Sequence, residues 1–166
     1  MKVAVVVIAN DEICTCGRCT RPGGDGGGGD YKSMITAIRR TWAAYAPDNF
    51  KVFYKYGHRD GVVFPPDSKY RKTTETYWPN DIKHTVHKKR FPFAIGDCIY
   101  SDTPEGRENI YYKSLDAFEW LLENEDFDYI IRPSAGSYVD LNMFDKYLQN
   151  VGVKNDFYAG SVGAYN

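Results

Sequence analysis

The chain has 166 residues, with 21 Lys+Arg against 22 Asp+Glu and a formal net charge of −1. That length suits one domain with its own core. The balanced charge excludes the bulk basic field expected of a nucleic-acid binder. The apolar run that opens the chain is far too short to span a membrane, and no small-residue cleavage site follows it. The expected setting is therefore cytoplasmic.

Lys2 to Ala9 is a near-continuous Val/Ile run, the pattern of a strand buried on both faces. Asn10 and Asp11 end it. Glu12 to Asp30 then carries Cys14, Cys16, Cys19 and a glycine tract in which six of the seven residues 23–29 are Gly, with Asp25 the exception. Such a tract has little to bury and much backbone entropy to lose, so a mobile loop is expected over about residues 12–30. Asp30 is placed to cap a helix in which Met34, Ile38, Trp42 and Tyr45 recur at helical spacing, with Pro47 beyond its end.

Lys51 to Tyr56 reads as a second strand stopped by Gly57, and Val62 to Phe64 as a short apolar patch. Residues 65–92 form a basic insertion, with Lys69, Arg71, Lys72, Lys83, Lys88, Lys89 and Arg90 interleaved with Tyr70, Tyr77 and Trp78. A basic aromatic surface of this kind can meet an acidic polymer, but a solvated excursion with scattered charges is the simpler expectation. Phe93 to Tyr100 is another strand candidate. Glu108 to Leu122 is a helix whose expected core face is Ile110, Ser114, Leu115, Phe118 and Leu122, with Lys113 off to one side.

The stretch Asp128 to Asp140, DYIIRPSAGSYVD, organises the rest. Tyr129, Ile130 and Ile131 read as a short buried strand, Arg132 puts a permanent cation at its end, and Pro133 stops the ladder. Ser134, Ala135, Gly136 and Ser137 are all small, so backbone amides can approach a ligand. Asp140 then caps a helix with Leu141, Phe144, Tyr147 and Leu148 on one face. Strand, small-residue loop and helix N-terminus is how open α/β sheets bind phosphate-bearing ligands, although an ordinary strand-to-helix turn has the same outline. Phe157 to Val162 reads as a last strand. Alternating strands and helices give an α/β class with a mostly parallel sheet.

Five blocks carry a family resemblance: IRRTW (Ile38 to Trp42), KVFYKYG (Lys51 to Gly57), GDCIYSD with YYKSLDAFEW (Gly96 to Trp120), DYIIRPSAGSYVDL (Asp128 to Leu141) and FYAGSV (Phe157 to Val162). In this order they resemble segments of the beta-1,3-galactosyltransferase and Fringe-like glycosyltransferases and cover most of the chain. The resemblance implies a single Rossmann-like domain of GT-A type that uses a UDP-sugar donor and a carbohydrate or other hydroxyl acceptor; the balanced charge and the short apolar run add the expectation of no nucleic acid and no membrane span. The resemblance also implies that Ala9, Asn10 and Asp11 face the base and ribose, with Tyr56 and Gly57 nearby. Arg39 or Arg40, Lys113, Arg132, Ser134, Ala135, Gly136 and Ser137 would then surround the diphosphate and sugar. Catalysis would proceed by positioning the electrophile and stabilising the departing diphosphate.

The family holds a divalent metal, usually manganese, with an acidic triplet. Here the triplet's positions are Ser134, Ala135 and Gly136, none of which replaces a carboxylate as a ligand for a hard cation. Arg132 and Lys113 can neutralise a diphosphate directly, helped by the loop amides and the helix N-terminus, or a metal is held from elsewhere. Asp140 reads as a cap, and Asp126-Phe127-Asp128 spells D-x-D before the strand, at its wrong end. The family's acceptor half and general base lie downstream of the last strand, so no catalytic residue carries over. Two other classes remain. One is a non-catalytic nucleotide-sugar-binding module that has lost the triplet. The other is a zinc-binding interaction domain built on Cys14, Cys16 and Cys19, with Cys98 or His84-x-x-His87 as further ligands. Zinc wants four convergent ligands, so free thiols in a loop are the simpler expectation.

Overall fold

The computed structural model describes residues 1–10, 31–58, 70–75, 85–105 and 109–152. The glycine tract, Asp11, the Asp30 cap, Cys14, Cys16, Cys19, the Val62–Phe64 patch and the Phe157–Val162 strand lie outside these residues. In chain order the elements are β1 (Val3–Ile8), α1 (Tyr31–Arg40), β2 (Phe50–Lys55), β3 (Tyr70–Glu75), β4 (Thr85–Arg90), β5 (Phe93–Ile95), β6 (Cys98–Tyr100), α2 (Ile110–Asn124), β7 (Tyr129–Ile131) and α3 (Leu141–Val151).

A five-stranded sheet has the order β5-β6-β2-β1-β7. β1 runs parallel to β2 from Val3↔Phe50 to Ile8↔Lys55, and parallel to β7 from Val3↔Tyr129 to Val5↔Ile131. β2 is parallel to β6, and β5 pairs antiparallel with β6 at the edge. The Phe93–Tyr100 stretch is therefore two strands rather than the single one expected from sequence. Gly96 takes a φ of +61°, where a side chain would be strained, and this lets the chain reverse between Ile95 and Cys98.

All six residues of β1 are buried. Val3, Val5 and Val7 pack with Ile35 and Ile38 of α1, Trp42 beyond it, and Leu141 and Leu148 of α3. Ala4, Val6 and Ile8 pack with Phe53, Ile99, and Ala117 and Leu121 of α2. Helices thus cover both faces, and this explains why β1 reads as a continuous apolar run rather than an alternating one. Each fully buried Val contributes about 1.5–3 kcal/mol relative to an exposed one.

The face of α2 differs from the sequence expectation. Its buried residues are Lys113, Ser114, Asp116, Ala117 and Leu121, whereas Leu115 is 43% exposed and Leu122 73%. Two of its turns carry rival apolar arcs. The sheet takes the arc that brings Lys113 and Asp116 to the polar partners described below. On α3, Leu141 and Leu148 go inward as expected, but Phe144 and Tyr147 lie at the surface, 36% and 48% exposed, in edge-to-face contact with each other. Tyr45, expected on the core face of α1, is exposed because the helix has already ended at Arg40.

The basic insertion is not simply an excursion. β3 and β4 form a separate two-stranded antiparallel ribbon, for which β-branched Thr73, Thr74, Thr85 and Val86 supply the propensity. Among the described residues, no helix is long and apolar enough to cross a membrane.

The phase of α2 can be checked by stability. Leu121→Ala, at a fully buried site, is expected to cost about 2–5 kcal/mol in denaturant unfolding. Leu122→Ala should stay within about 0.5 kcal/mol of wild type. Equal losses at the two positions would reject the observed face.

Candidate functional site

Three of the parallel strands run on through β1, β2 and β6 in one direction across the sheet. Then α2 carries the chain back to β7 on the far side of β1. The order reverses between β1 and β7, and in open α/β sheets ligands bind at such a point, outside the carboxyl ends of the strands. The segments that leave those ends are Ala9 and Asn10 after β1, Tyr56 and Gly57 after β2, Ser101 to Glu105 after β6, and Arg132 to Ser137 after β7. α2 begins at the same end.

The β2, β6 and α2 side is a buried polar network. The Lys113 ammonium donates to the Ala9 carbonyl at 2.6 Å and to Glu105 Oε2 at 2.5 Å, and the two side chains are 1% and 6% exposed. Glu105 Oε1 accepts from the Gly57 amide at 2.8 Å, so one carboxylate joins the end of β2 to the first turn of α2. A cation in that turn opposes the helix dipole, and the Glu105 carboxylate offsets it. Lys55, buried at the end of β2, donates to Ser101 Oγ at 2.7 Å and to the Tyr56 carbonyl. Thr103 donates to Asp116 Oδ2 at 2.6 Å. The crossing is tight. His58 N donates to the Thr103 carbonyl at 2.6 Å, and a Cβ on Gly57 would come within 2.4 Å of that same oxygen. Only glycine lets the two backbones approach so closely.

The β7 side is open. Arg132, Ser134, Gly136 and Ser137 are exposed, and Ala135 is buried against the α1/α3 core. Ser137 N donates to the Ser134 carbonyl at 3.0 Å, closing a turn. Asp140 caps α3 as expected, accepting from Met143 N at 2.9 Å. That carboxylate already complements the positive end of the helix. Gly136 N also lies 3.4 Å from Ser134 Oγ, so any anion at this loop is left chiefly to Arg132 rather than to the helix terminus.

The predicted site residues fall into three groups. Ala9, Gly57 and Lys113 are brought together through Glu105, with Asn10 buried beside Ala9 and Tyr56 stacked on Tyr100 at 5.7 Å between centroids. Arg132 and Ser134 to Ser137 stand at the end of the neighbouring strand. Arg39 and Arg40 sit in the last turn of α1 and join neither group. A helix linking two parallel strands runs back along the sheet, so its end lies toward the strands' starts. Arg39 forks onto Asp97 at 2.5 and 2.7 Å and lies 4.1 Å above the Tyr54 ring. Burial alone would push the Asp97 carboxyl up, but the Arg39 hydrogen bond and that from the Cys98 thiol hold it below its ordinary value. Burial pushes the Cys98 thiol up, and the hydroxyl of Tyr54, the ring beneath Arg39, up to about 12. The D-x-D pair is at the wrong end, as read from sequence. Asp126 Oδ2 accepts from Lys2 Nζ at 2.5 Å and Asp128 Oδ2 from Lys2 N at 2.8 Å, where β1 and β7 begin.

Sequence reasoning missed Glu105, Lys55 and Asp116. No local pattern marks them; each owes its role to an element distant in sequence. The family's metal does not fit the loop after β7. Ser134 and Gly136 present no carboxylate, and Ala135 is packed into the core. Among the described residues no group of three or more His, Cys, Asp or Glu is placed to hold a metal ion.

Two measurements follow from these contacts. Lys113→Met strands a buried carboxylate and should cost about 3–5 kcal/mol. Lys113→Met combined with Glu105→Gln should recover part of that loss, because Gln still accepts from Gly57 N and no bare charge remains. A double variant no better than the single one in urea unfolding would show that the pair is not the brace described. The Asp97 carboxyl is depressed in the folded state. Its contribution is thus complete above its ordinary value of 3.8 and lost as pH falls through the lower folded value. The gap in thermal midpoint between wild type and Asp97→Asn should narrow below that pH, and it should be small because both partners are 41% exposed. A gap that stays constant down to pH 2 would contradict the pairing.

No protein-family model matches the chain, and no curated protein or solved structure matches it.

Proposed function

We propose that the chain is a GT-A-type glycosyltransferase domain that binds a UDP-sugar where the strand order reverses. The observation that carries the reading is the parallel order β6-β2-β1-β7, with Asn10 and the Arg132–Ser137 loop leaving adjacent strands at that reversal. Counted among the parallel strands alone, the order 3-2-1-4 is compatible with the central strands of a Rossmann-type sheet, and four of the five family-like blocks fall on described elements in this order. The base and ribose are assigned to the β1 end, at Ala9 and Asn10, with Asp11 next in sequence outside the described residues. The diphosphate is assigned to Arg132 and the Ser134–Ser137 turn.

Arg132 is an exposed cation of this end and offers a planar fork suited to phosphate oxygens. Lys113, already held by Glu105 and the Ala9 carbonyl, is given a supporting role. It fixes the backbone at the end of β1, against which the nucleotide would rest. In transfer, the acceptor hydroxyl attacks the anomeric carbon as the bond to the diphosphate oxygen breaks, and the hydroxyl proton passes to the departing diphosphate. Cation and amides stabilise the charge that develops on the departing UDP. A cytoplasmic setting belongs to the same proposal.

One observation favours a second reading, a nucleotide-sugar-binding module without turnover. The turn that replaces the acidic triplet has one of its residues, Ala135, packed into the core, so the loop is built around packing at a position where the family needs a ligand.

Titration of UDP into wild type and Arg132→Ala, each with EDTA and with manganese, tests the assignment. UDP at 100 times its dissociation constant should add about 2.7 kcal/mol of stability. Binding should survive EDTA, and Arg132→Ala should weaken it roughly 10- to 150-fold, the effect of losing a charge-assisted contact of about 1.5–3 kcal/mol. Arg132→Lys should recover only part. Abolition by EDTA with the arginine variant unaffected would move the diphosphate to a metal instead. The absence of a thermal shift with any nucleoside diphosphate at millimolar concentration would end the reading. Sugar hydrolysis or transfer separates enzyme from module.

A further inference from the structure

We propose that the outer face of α2 is the interface through which two copies of this chain pair, antiparallel, about a twofold axis. α2 carries two apolar arcs, and the sheet covers the one around Ala117 and Leu121. The other consists of Tyr111, Leu115, Phe118 and Leu122, spaced 4, 3 and 4 residues apart. That is the seam spacing of paired helices, sustained here over about three turns. Phe118 is half-buried, Leu115 and Leu122 are exposed, and Tyr111 is 66% exposed. No charged side chain stands in the stripe.

The stripe's own order identifies the occupant. A 4-3-4 spacing reads the same in both directions, so a twofold axis between Leu115 and Phe118 maps the stripe onto itself, as an isologous contact requires. That axis sets Tyr111 against the partner's Leu122 and Leu115 against the partner's Phe118. Every layer then holds one aromatic ring and one leucine. A parallel pair would stack Tyr on Tyr, Phe on Phe and Leu on Leu, leaving layers alternately overfilled and underfilled. Charge agrees with packing. Glu119 and Glu123 lie on one flank of the stripe. A parallel pair would bring each carboxylate level with its own copy. The antiparallel axis instead puts the partner's Glu119 at the height of Ser114, about 7.5 Å along the helix from Glu119. Side chains of this size carry on the order of 150–200 Å² each, so the exposed fractions give roughly 800 Å² for a pair, the scale of a weak, reversible dimer. A membrane surface fits poorly, because it wants Lys or Arg beside the stripe and the flank holds Glu. Since each α2 begins at its own candidate site, the two sites lie at opposite ends of the pair.

Sedimentation equilibrium of the full chain over about 1–500 µM, with a reductant present so that thiols do not cross-link, tests the pairing. Wild type should pass from monomer to dimer within that range. Leu115→Glu and Phe118→Lys should each weaken dimerisation at least about tenfold, because a charge then faces an apolar residue in two layers. An equimolar mixture of the two variants should dimerise again. The introduced carboxylate and ammonium meet in one layer, and the other layer is unchanged. A parallel register predicts no such rescue. Tyr111→Glu and Leu122→Lys form a second complementary pair at more exposed positions, and their thermal midpoints at the lowest concentration should match wild type, which separates lost pairing from lost folding. A wild type that stays monomeric throughout overturns the proposal. So do folded variants that dimerise as wild type does, or complementary mixtures that stay monomeric.

Discussion

The structure depends on β1 being buried on both sides. A strand with Val3, Val5 and Val7 toward one pair of helices and Ala4, Val6 and Ile8 toward a third helix has no polar face to offer solvent. Its backbone donors and acceptors must also be met from both edges, because buried amides are costly to leave unpaired. β2 on one side and β7 on the other satisfy this requirement. Once β1 is central, the rest is constrained. α1 connects β1 to β2 along one face. The later crossover through α2 returns over the other face to reach the free edge of β1. The reversal of strand order at β1 is thus a direct consequence of shielding one apolar strand.

The same constraint produces the site. Strands that run in one direction finish together, so the segments leaving β1, β2, β6 and β7 gather at one end of the sheet. Those on the β2 and β6 side are locked by buried charge. Glu105 and Lys113 lie fully within the fold, each partnered, and Glu105 also holds the Gly57 amide. Buried ion pairs add little net stability compared with an apolar core, but they are costly to break singly. Their consequence here is geometric. The end of β2, the loop after β6 and the start of α2 are held in one arrangement, which gives the β1 end a rigid wall.

The β7 side has the opposite character, with small exposed residues, one exposed guanidinium and a turn whose only buried member is Ala135. A rigid wall facing an accessible cation is a reasonable setting for a charged, extended ligand. The basic ribbon continues this division, since Asp102 fastens its root to the β6 end of the wall.

Sequence alone determined the elements that depend on local periodicity and punctuation. β1, β2, β7, the two long helices after residue 108 and the Asp140 cap were legible because apolar runs, helical spacing and an N-cap residue act within a few positions. The α/β class followed from their alternation. The tertiary structure decided which arc of α2 turns inward, because Leu115, Leu122 and the buried set around Ala117 and Leu121 share the same helical period and only the facing sheet distinguishes them. It also showed that Phe93 to Tyr100 is a hairpin turning at Gly96-Asp97, a dipeptide that marks such a turn in sequence and whose Gly96 takes a positive φ. It paired β3 with β4 in a stretch whose charge hides its strand propensity. Above all, it assembled Glu105, Lys113, Gly57 and Ala9 from four separate segments. A buried charge is tolerated only where a distant partner is already in place, and chain order alone does not reveal that partner.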